Sequence, residues 1–246
     1  MYGGQLNRGG IDVTRVLILV NVGVFIVTLT GGGNVLTGQG SSSSIYDKFA
    51  LLPVAVAHGE WWRLFSSMFL HYGIAHIFFN MWALLVIGSP LEAMLGRLRY
   101  LVLYFLSGIG GGILSFATGP IFTPAAGASG AIFGLFGAYY VITRKRGMAT
   151  GGIVGLIVIN LILSFTFANI DWRGHVGGLV TGAAVAFVFA WAPAGPSRDR
   201  IQAAGCALIA LILAIAGYAG AARVHQQCPN YVTVQVAGGT AVQCTA

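Results

Sequence analysis

From Tyr100 to Thr143 the chain reads YLVLYFLSGIGGGILSFATGPIFTPAAGASGAIFGLFGAYYVIT, without one Asp, Glu, Lys or Arg. A hydrocarbon core about 30 Å thick is crossed by about 20 largely apolar helical residues. The stretch is long enough for two crossings. Gly119-Pro120 and Pro124 supply the break between them, because Pro lacks a backbone donor and Gly loosens the chain. The pattern repeats outward: no charge lies between Arg63 and Glu92, Arg146 and Asp171, Arg173 and Arg198, or Arg200 and Arg223. Only 8% of the 246 residues are charged and 57% are hydrophobic, and the mean hydropathy is +0.82. A soluble domain carries about 25% charged residues. A chain with a third of that cannot cover its surface with water-facing groups. The 37 glycines follow no Gly-X-Y period, and the apolar fraction excludes a disordered chain.

The fold class expected is all-α: a polytopic bundle of seven transmembrane helices, six in a core and one after it. The spans fall near Val13–Thr30, Leu64–Gly88, Tyr100–Thr118, Ala126–Thr143, Gly151–Ala168, Gly174–Ala192 and Ile201–Ala222. Residues 1–12 are then a short cytoplasmic N-terminus and 13–192 the core. Residues 193–222 hold an inner loop and the seventh helix, and 223–246 an extracytoplasmic tail. With the N-terminus inside, nine cations lie on inner segments (Arg8, Arg15, Arg97, Arg99, Arg144, Lys145, Arg146, Arg198, Arg200). Four lie outside (Lys48, Arg63, Arg173, Arg223), as the positive-inside rule requires. The net charge of +7 reads as topology, and no aromatic-interleaved basic patch suggests nucleic acid. The first span ends in Thr-Gly-Gly-Gly without a small-x-small cleavage site and is read as retained. The outer loop 31–63 begins Gly/Ser-rich and ends with Trp61-Trp62-Arg63, a composition suited to the headgroup layer.

Polar residues inside the bilayer carry the chemical information, since each costs free energy that packing must offset. The second span holds His71, His76 and Asn80, the last two one helical turn apart. The fourth opens with Gly127-Ala-Ser129-Gly130, and the sixth with Gly174-His175-Val-Gly-Gly178 and Gly182. Even-numbered spans all start outside, so Ser129 and His175 share depth near outer helix starts, with His76 and Asn80 about halfway along theirs. Gly130 with Gly134, and Gly178 with Gly182, are small-xxx-small pairs that let backbones approach closely in lipid. His175, Gly178 and Gly182 lie on one face, so the close-packing face carries the imidazole towards Ser129.

Serine becomes a nucleophile when a base takes its proton, and neutral histidine is the usual base near pH 7. Acyl transfer also needs donors aimed at the developing oxyanion. His76, Asn80 and the Ser129 backbone N–H, at a helix start where such groups are unbonded, can supply them. Asp171, four residues before His175, is expected to cap the sixth helix, leaving a Ser-His dyad.

From about Phe49 to Ala192 the sequence resembles the rhomboid intramembrane serine proteases. The resemblance is carried by Trp62-Arg63, by His76-Ile-Phe-Phe-Asn80 with His71 ahead of it, and by Gly127-Ala-Ser129-Gly130 and Gly174-His175-Val-Gly-Gly178 in the family's order and spacing. It implies that Ser129 is the nucleophile of a serine endopeptidase and His175 its general base. His76, Asn80 and the Ser129 amide would form the oxyanion site. Phe133 would place its ring against His175, and Gly178 and Gly182 would be close-packing glycines. The inner loop departs mildly from the family, with Ala-Met-Leu between Glu92 and Gly96 where many members carry a basic residue.

No cofactor or metal is expected. Partners would be transmembrane protein substrates and membrane lipid, with the oligomeric state open. Substrate helices would enter sideways and be cut where they unwind. The expected location is multi-pass in a bacterial plasma membrane, N-terminus cytoplasmic and C-terminus outside. Hydrolysis requires water, so residues Gly119–Ala126 should line a hydrated cavity, with Ala168–Arg173 as its lid. Three alternatives stand beside this reading. One is an inactive rhomboid relative that binds membrane helices. Another is a haem or metal protein using His71, His76 and His175, against which stand the lack of facing His pairs and of metal-spaced Cys. The third is a transporter, against which stand the absence of a repeat of halves and of an intramembrane carboxylate. In the tail, two extended runs around Gly238-Gly239 would bring Cys228 and Cys244 together as a disulfide.

Overall fold

The computed structural model describes residues 12–29, 44–167, 170–236 and 239–245. The expectations for residues 1–11 and for the Gly/Ser-rich half of the outer loop therefore lie outside the described residues. In chain order the helices are α1 (Val13–Leu29), α2 (Ser44–Phe49), α3 (Pro53–Ala57), α4 (Arg63–Ser66), α5 (Ile74–Ala83), α6 (Ser89–Leu95), α7 (Arg97–Thr118), α8 (Ser129–Lys145), α9 (Gly151–Thr166), α10 (Trp172–Trp191) and α11 (Arg198–Gln227). A hairpin of β1 (Asn230–Val236) and β2 (Gly239–Thr245) follows. Among the described residues, four helical stretches are long and apolar enough to cross a bilayer: Ile74–Leu95, Arg97–Thr118, Trp172–Trp191 and Arg198–Gln227. Val13–Leu29 and Gly151–Thr166 are shorter apolar helices. The protein is an all-α, multi-pass integral membrane protein.

The second crossing corrects the expected boundaries. After α4 and a 3₁₀ turn at Ser67–Phe69, the chain leaves the helix at Leu70 and re-enters at Ile74 behind an extended Gly73. The crossing then continues past Gly88 to Leu95. Pro90 does not end it, because a π-helical turn at Leu84–Gly88 precedes the proline. Pro lacks the N–H of a regular turn and its ring clashes with the carbonyl four residues back, and a π turn relieves both by shifting the register. His76 consequently sits in the first turn of its helix, not halfway along it.

Buried Glu92 ties this crossing to α1. Its carboxylate accepts the backbone N–H groups of Val13 and Thr14 at 2.7 and 2.8 Å and the Thr14 hydroxyl at 2.8 Å. These are donors a helix start leaves unbonded, and the helix dipole favours the charge.

The centre of the bundle is α7, α8 and α10, joined through glycine. A Cβ built on Gly178 would collide with the Gly130 carbonyl, and one on Gly182 with the Gly134 backbone. Towards α7, a Cβ on Gly111 would lie 2.5 Å from the Gly174 carbonyl oxygen, and one on Gly177 would lie 2.6 Å from that of Gly110. Below these contacts Leu103, Tyr104, Leu135 and Val185 are fully buried. Helix α11 packs outside α7, with Gly220 against Ala117 and Phe116. Arg223 donates to the carbonyls of Phe116 and Gly119 at 3.2 and 2.8 Å, and so caps the α7 end.

The outer loop is more than an interfacial strap. Val54 and Val56 are completely buried in a second core with Phe116 and Val224, while Trp61 and Trp62 remain exposed. In the tail, β1 and β2 pair antiparallel with Tyr231 opposite Cys244, and Cys228 and Cys244 form a disulfide. The hairpin rests on the outer loop: the Tyr231 hydroxyl donates to Glu60 at 3.1 Å, and His58 contacts the Pro229 carbonyl at 3.0 Å.

The glycine contacts predict contrasting effects of one methyl group. Gly178→Ala should lower unfolding stability in detergent by about 1–3 kcal/mol or more, as overpacking does. Gly152→Ala on α9, where a Cβ meets open space, should be neutral or stabilise by up to about 1 kcal/mol. Equal losses for the two variants would contradict the packing described.

Candidate active site

Helix α8 begins at Ser129 after a non-helical stretch, residues 119–128, that is bonded in several places to other backbone. Leu51 and Ala125 exchange both N–H···O bonds at 2.9 Å, the Val54 N–H bonds the Ile121 carbonyl at 3.1 Å, and the Gly127 N–H bonds the Ser67 carbonyl at 2.9 Å. This meets the requirement that irregular backbone at membrane depth be buried in protein or line a cavity. Gly127 adopts φ +135°, a conformation glycine tolerates and L-residues rarely adopt. A Cβ at Gly127 would lie 2.9 Å from His76 Nε2 and 3.6 Å from Ser129 Oγ, so the missing side chain leaves room for the imidazole beside the serine.

Ser129 is half-buried, opens its helix, and lines a cavity with Ser67, Ser115, Gly127, Asp171 and Gly174. About 50 Å³ of this cavity is open to the centres of water molecules. One water needs about 10–15 Å³ on that measure, so the space admits a few waters and no helix. His76 accepts the Tyr72 N–H at Nδ1, at a long 3.4 Å. That contact favours the tautomer with its proton on Nε2, facing Gly127. Asn80 is buried one turn along α5, and its side-chain amide has no hydrogen-bond partner among the described residues. His71 is fully buried, edge-on to His76 with ring centroids 5.0 Å apart. Neither of its ring nitrogens has a partner among the described residues.

His175 lies in the first turn of α10. Its ring is stacked on Phe133 of α8, with centroids 4.1 Å apart and planes 11° from parallel. Its Nδ1 lies 2.7 Å from Ser164 Oγ on α9. Sequence reading missed Ser164: a lone serine in an apolar run usually bonds its own i−4 carbonyl, and Ser164 does so as well. Asp171 caps α10 as expected, accepting the Arg173 N–H at 3.2 Å. The structure thus gathers Gly127, His76 and Ser129 at one point, and stacks Phe133 of α8 on His175 of α10 across the seam where Gly130 meets Gly178. Ser129 and His175 share no hydrogen bond, and the Ser129 hydroxyl has no partner among the described residues. Catalytic hydrogen bonds are often long in substrate-free sites. The apolar segment expected as a lid falls partly on residues 168–169, outside the described residues.

A Rhomboid domain matches residues 58–192. The chain belongs to the rhomboid family. It is 42% identical over 177 residues to the rhomboid protease GluP of Bacillus subtilis, covering 70% of this chain but 34% of that protein. It is 39% identical over 140 residues to the putative rhomboid protease YdcA of the same organism, covering 55% of this chain and 70% of that one. Over 233 residues it is 30% identical to the mitochondrial RHOMBOID-like protein 6 of Arabidopsis thaliana, covering 78% and 75%. The chain thus spans about a third of GluP's length. The rhomboid match ends at Ala192, the end of the six-helix core read from the sequence, so α11 and the hairpin lie beyond it.

Proposed function

We propose that this rhomboid-family chain is an intramembrane serine endopeptidase that cleaves transmembrane segments of other membrane proteins through a Ser129–His175 dyad. The observation that carries the reading is Ser129 opening α8 on a cavity that admits a few waters, with His76 beside it at Gly127 and with His175 of α10 stacked on Phe133 one turn along α8. The relatives named as proteases support it. In this mechanism His175 Nε2 takes the Ser129 proton as Oγ attacks the scissile carbonyl. The Ser129 N–H, His76 Nε2–H and the Asn80 amide stabilise the oxyanion. The imidazolium then protonates the departing amine, and a water entering the cavity hydrolyses the acyl-enzyme with His175 again as base.

Depth follows from helix length. The 17 residues of α8 span about 25 Å at 1.5 Å per residue, less than the bilayer's hydrocarbon thickness, so Ser129 lies beneath the membrane surface. Substrates are then helices that enter from lipid and unwind at the site. The Cys228–Cys244 bridge rests on the same outer loop that walls the cavity. Disulfides persist on the oxidising side of a membrane. This agrees with seven spans, a cytoplasmic N-terminus and an outward cavity in a bacterial plasma membrane.

Ser129→Ala and His175→Ala should each abolish cleavage of a model transmembrane substrate in liposomes while the protein stays folded. Full cleavage by Ser129→Ala would overturn the mechanism. Loss of one oxyanion donor costs about 10²–10³ in kcat. Asn80→Ala and His76→Ala should therefore leave slow, measurable enzymes. Unchanged kcat in both would move the oxyanion donors elsewhere.

A further inference from the structure

We infer that Ser164 is the positioning residue that sets the tautomer of His175, a role in which serine proteases otherwise use a carboxylate. The inference rests on the dyad reading above and extends it. Its basis is a proton count. The Ser164 hydroxyl has one hydrogen and lies 2.6 Å from the Asn160 carbonyl, which can only accept. With that hydrogen donated, Ser164 Oγ offers only lone pairs to His175 Nδ1 at 2.7 Å. Nδ1 must carry the proton, which leaves the Nε2 lone pair free to act as base. In the opposite tautomer the single hydroxyl hydrogen would have to serve both contacts, leaving either Oγ and Nδ1 at 2.7 Å or Oγ and the Asn160 carbonyl at 2.6 Å with none between them. Phe133 stacks on the ring face and so fixes its plane, while Ser164 fixes which nitrogen is bare.

The only nearby carboxylate in sequence is otherwise engaged, since Asp171 caps its own helix at the Arg173 N–H. An uncharged acceptor also suits the place. His175 and Ser164 are both buried, and a carboxylate there would carry a desolvation cost that a hydroxyl avoids. The relay Nδ1–H···Oγ–H···O=C keeps the same direction when the imidazolium forms, so Ser164 accepts from the ring throughout the reaction without itself changing protonation. Within α9 only Ile153 and Ser164 are buried, and Ile157 and Leu161 pack half-buried against the core. The hydroxyl is the polar contact at this end of α9 with the histidine of α10.

The test combines kinetics with the nitrogen resonances of His175, assigned by their loss in His175→Ala. In ¹⁵N-histidine-labelled wild-type protein at neutral pH, Nδ1 should be protonated and Nε2 bare. Ser164→Ala should shift the tautomer towards Nε2–H. It should also lower kcat by between about tenfold and the about 10⁴-fold that a wrong tautomer costs a serine protease, with KM unchanged. Ser164→Thr keeps the hydroxyl and its i−4 carbonyl bond, and should restore both the tautomer and most of kcat. An Nε2–H tautomer in the wild type would overturn the inference. So would wild-type kcat in Ser164→Ala, or a Thr variant as impaired as Ala at equal thermal stability. Activity that persists in Ser129→Ala would instead sink the dyad, and the wild-type resonances would still decide the tautomer.

Discussion

Everything chemical in this molecule depends on how closely two helix backbones can approach. In lipid there is no hydrophobic gain from bringing apolar helices together, so association relies on packing and on small residues. Gly178 and Gly182 of α10 lie directly on the backbones of Gly130 and Gly134 of α8, and Gly111 and Gly177 extend the seam to α7. Ser129 stands one residue before Gly130, and His175 one turn before Gly178 and two turns before Gly182 on the same face of its helix. At ordinary helix separations of 8–10 Å Ser129 and His175 would be held further apart. The glycine seam is thus the scaffold of the proposed dyad, and it brings Phe133 of α8 into stacking contact with His175.

A second constraint is imposed by water. The proposed hydrolysis must admit it, and a bilayer excludes it. The fold resolves this by letting the chain between α7 and α8 run non-helical and bonding its N–H and C=O groups to Leu51 and Val54 of the outer loop and to Ser67 in the turn after α4. The outer loop is therefore structural, with its own buried core. It walls a cavity that admits a few waters at Ser129 while the lipid-facing surface stays apolar. The disulfide-closed hairpin braces the same loop through Tyr231 and Glu60.

Much of this was legible in the sequence because it follows from composition and spacing. Charge-free runs located the crossings, Gly119-Pro120 the break, Asp171 the cap, and the paired glycines the tight interface. What escaped depends on tertiary backbone contacts. Residues 64–73 are as apolar as a helix, and nothing local shows that the chain leaves the helix at Leu70. There the His71 carbonyl takes the Tyr46 hydroxyl and Gly73 turns extended. That one misplacement put His76 halfway down its helix, when it lies in the first turn beside Gly127. Ser164 was invisible for a different reason. Its donor makes the ordinary i−4 bond of a serine in a membrane helix, and only the fold reveals who uses its lone pairs.

In the mechanism proposed, the serine opening α8 is made nucleophilic by the histidine opening α10. The most direct measurement is tandem mass spectrometry of the protein after treatment with a fluorophosphonate in its native membrane. The account predicts a single adduct on Ser129, absent when the protein is heat-denatured first and absent in His175→Ala. An adduct on another serine, or a Ser129 adduct that forms as readily without His175, would contradict it.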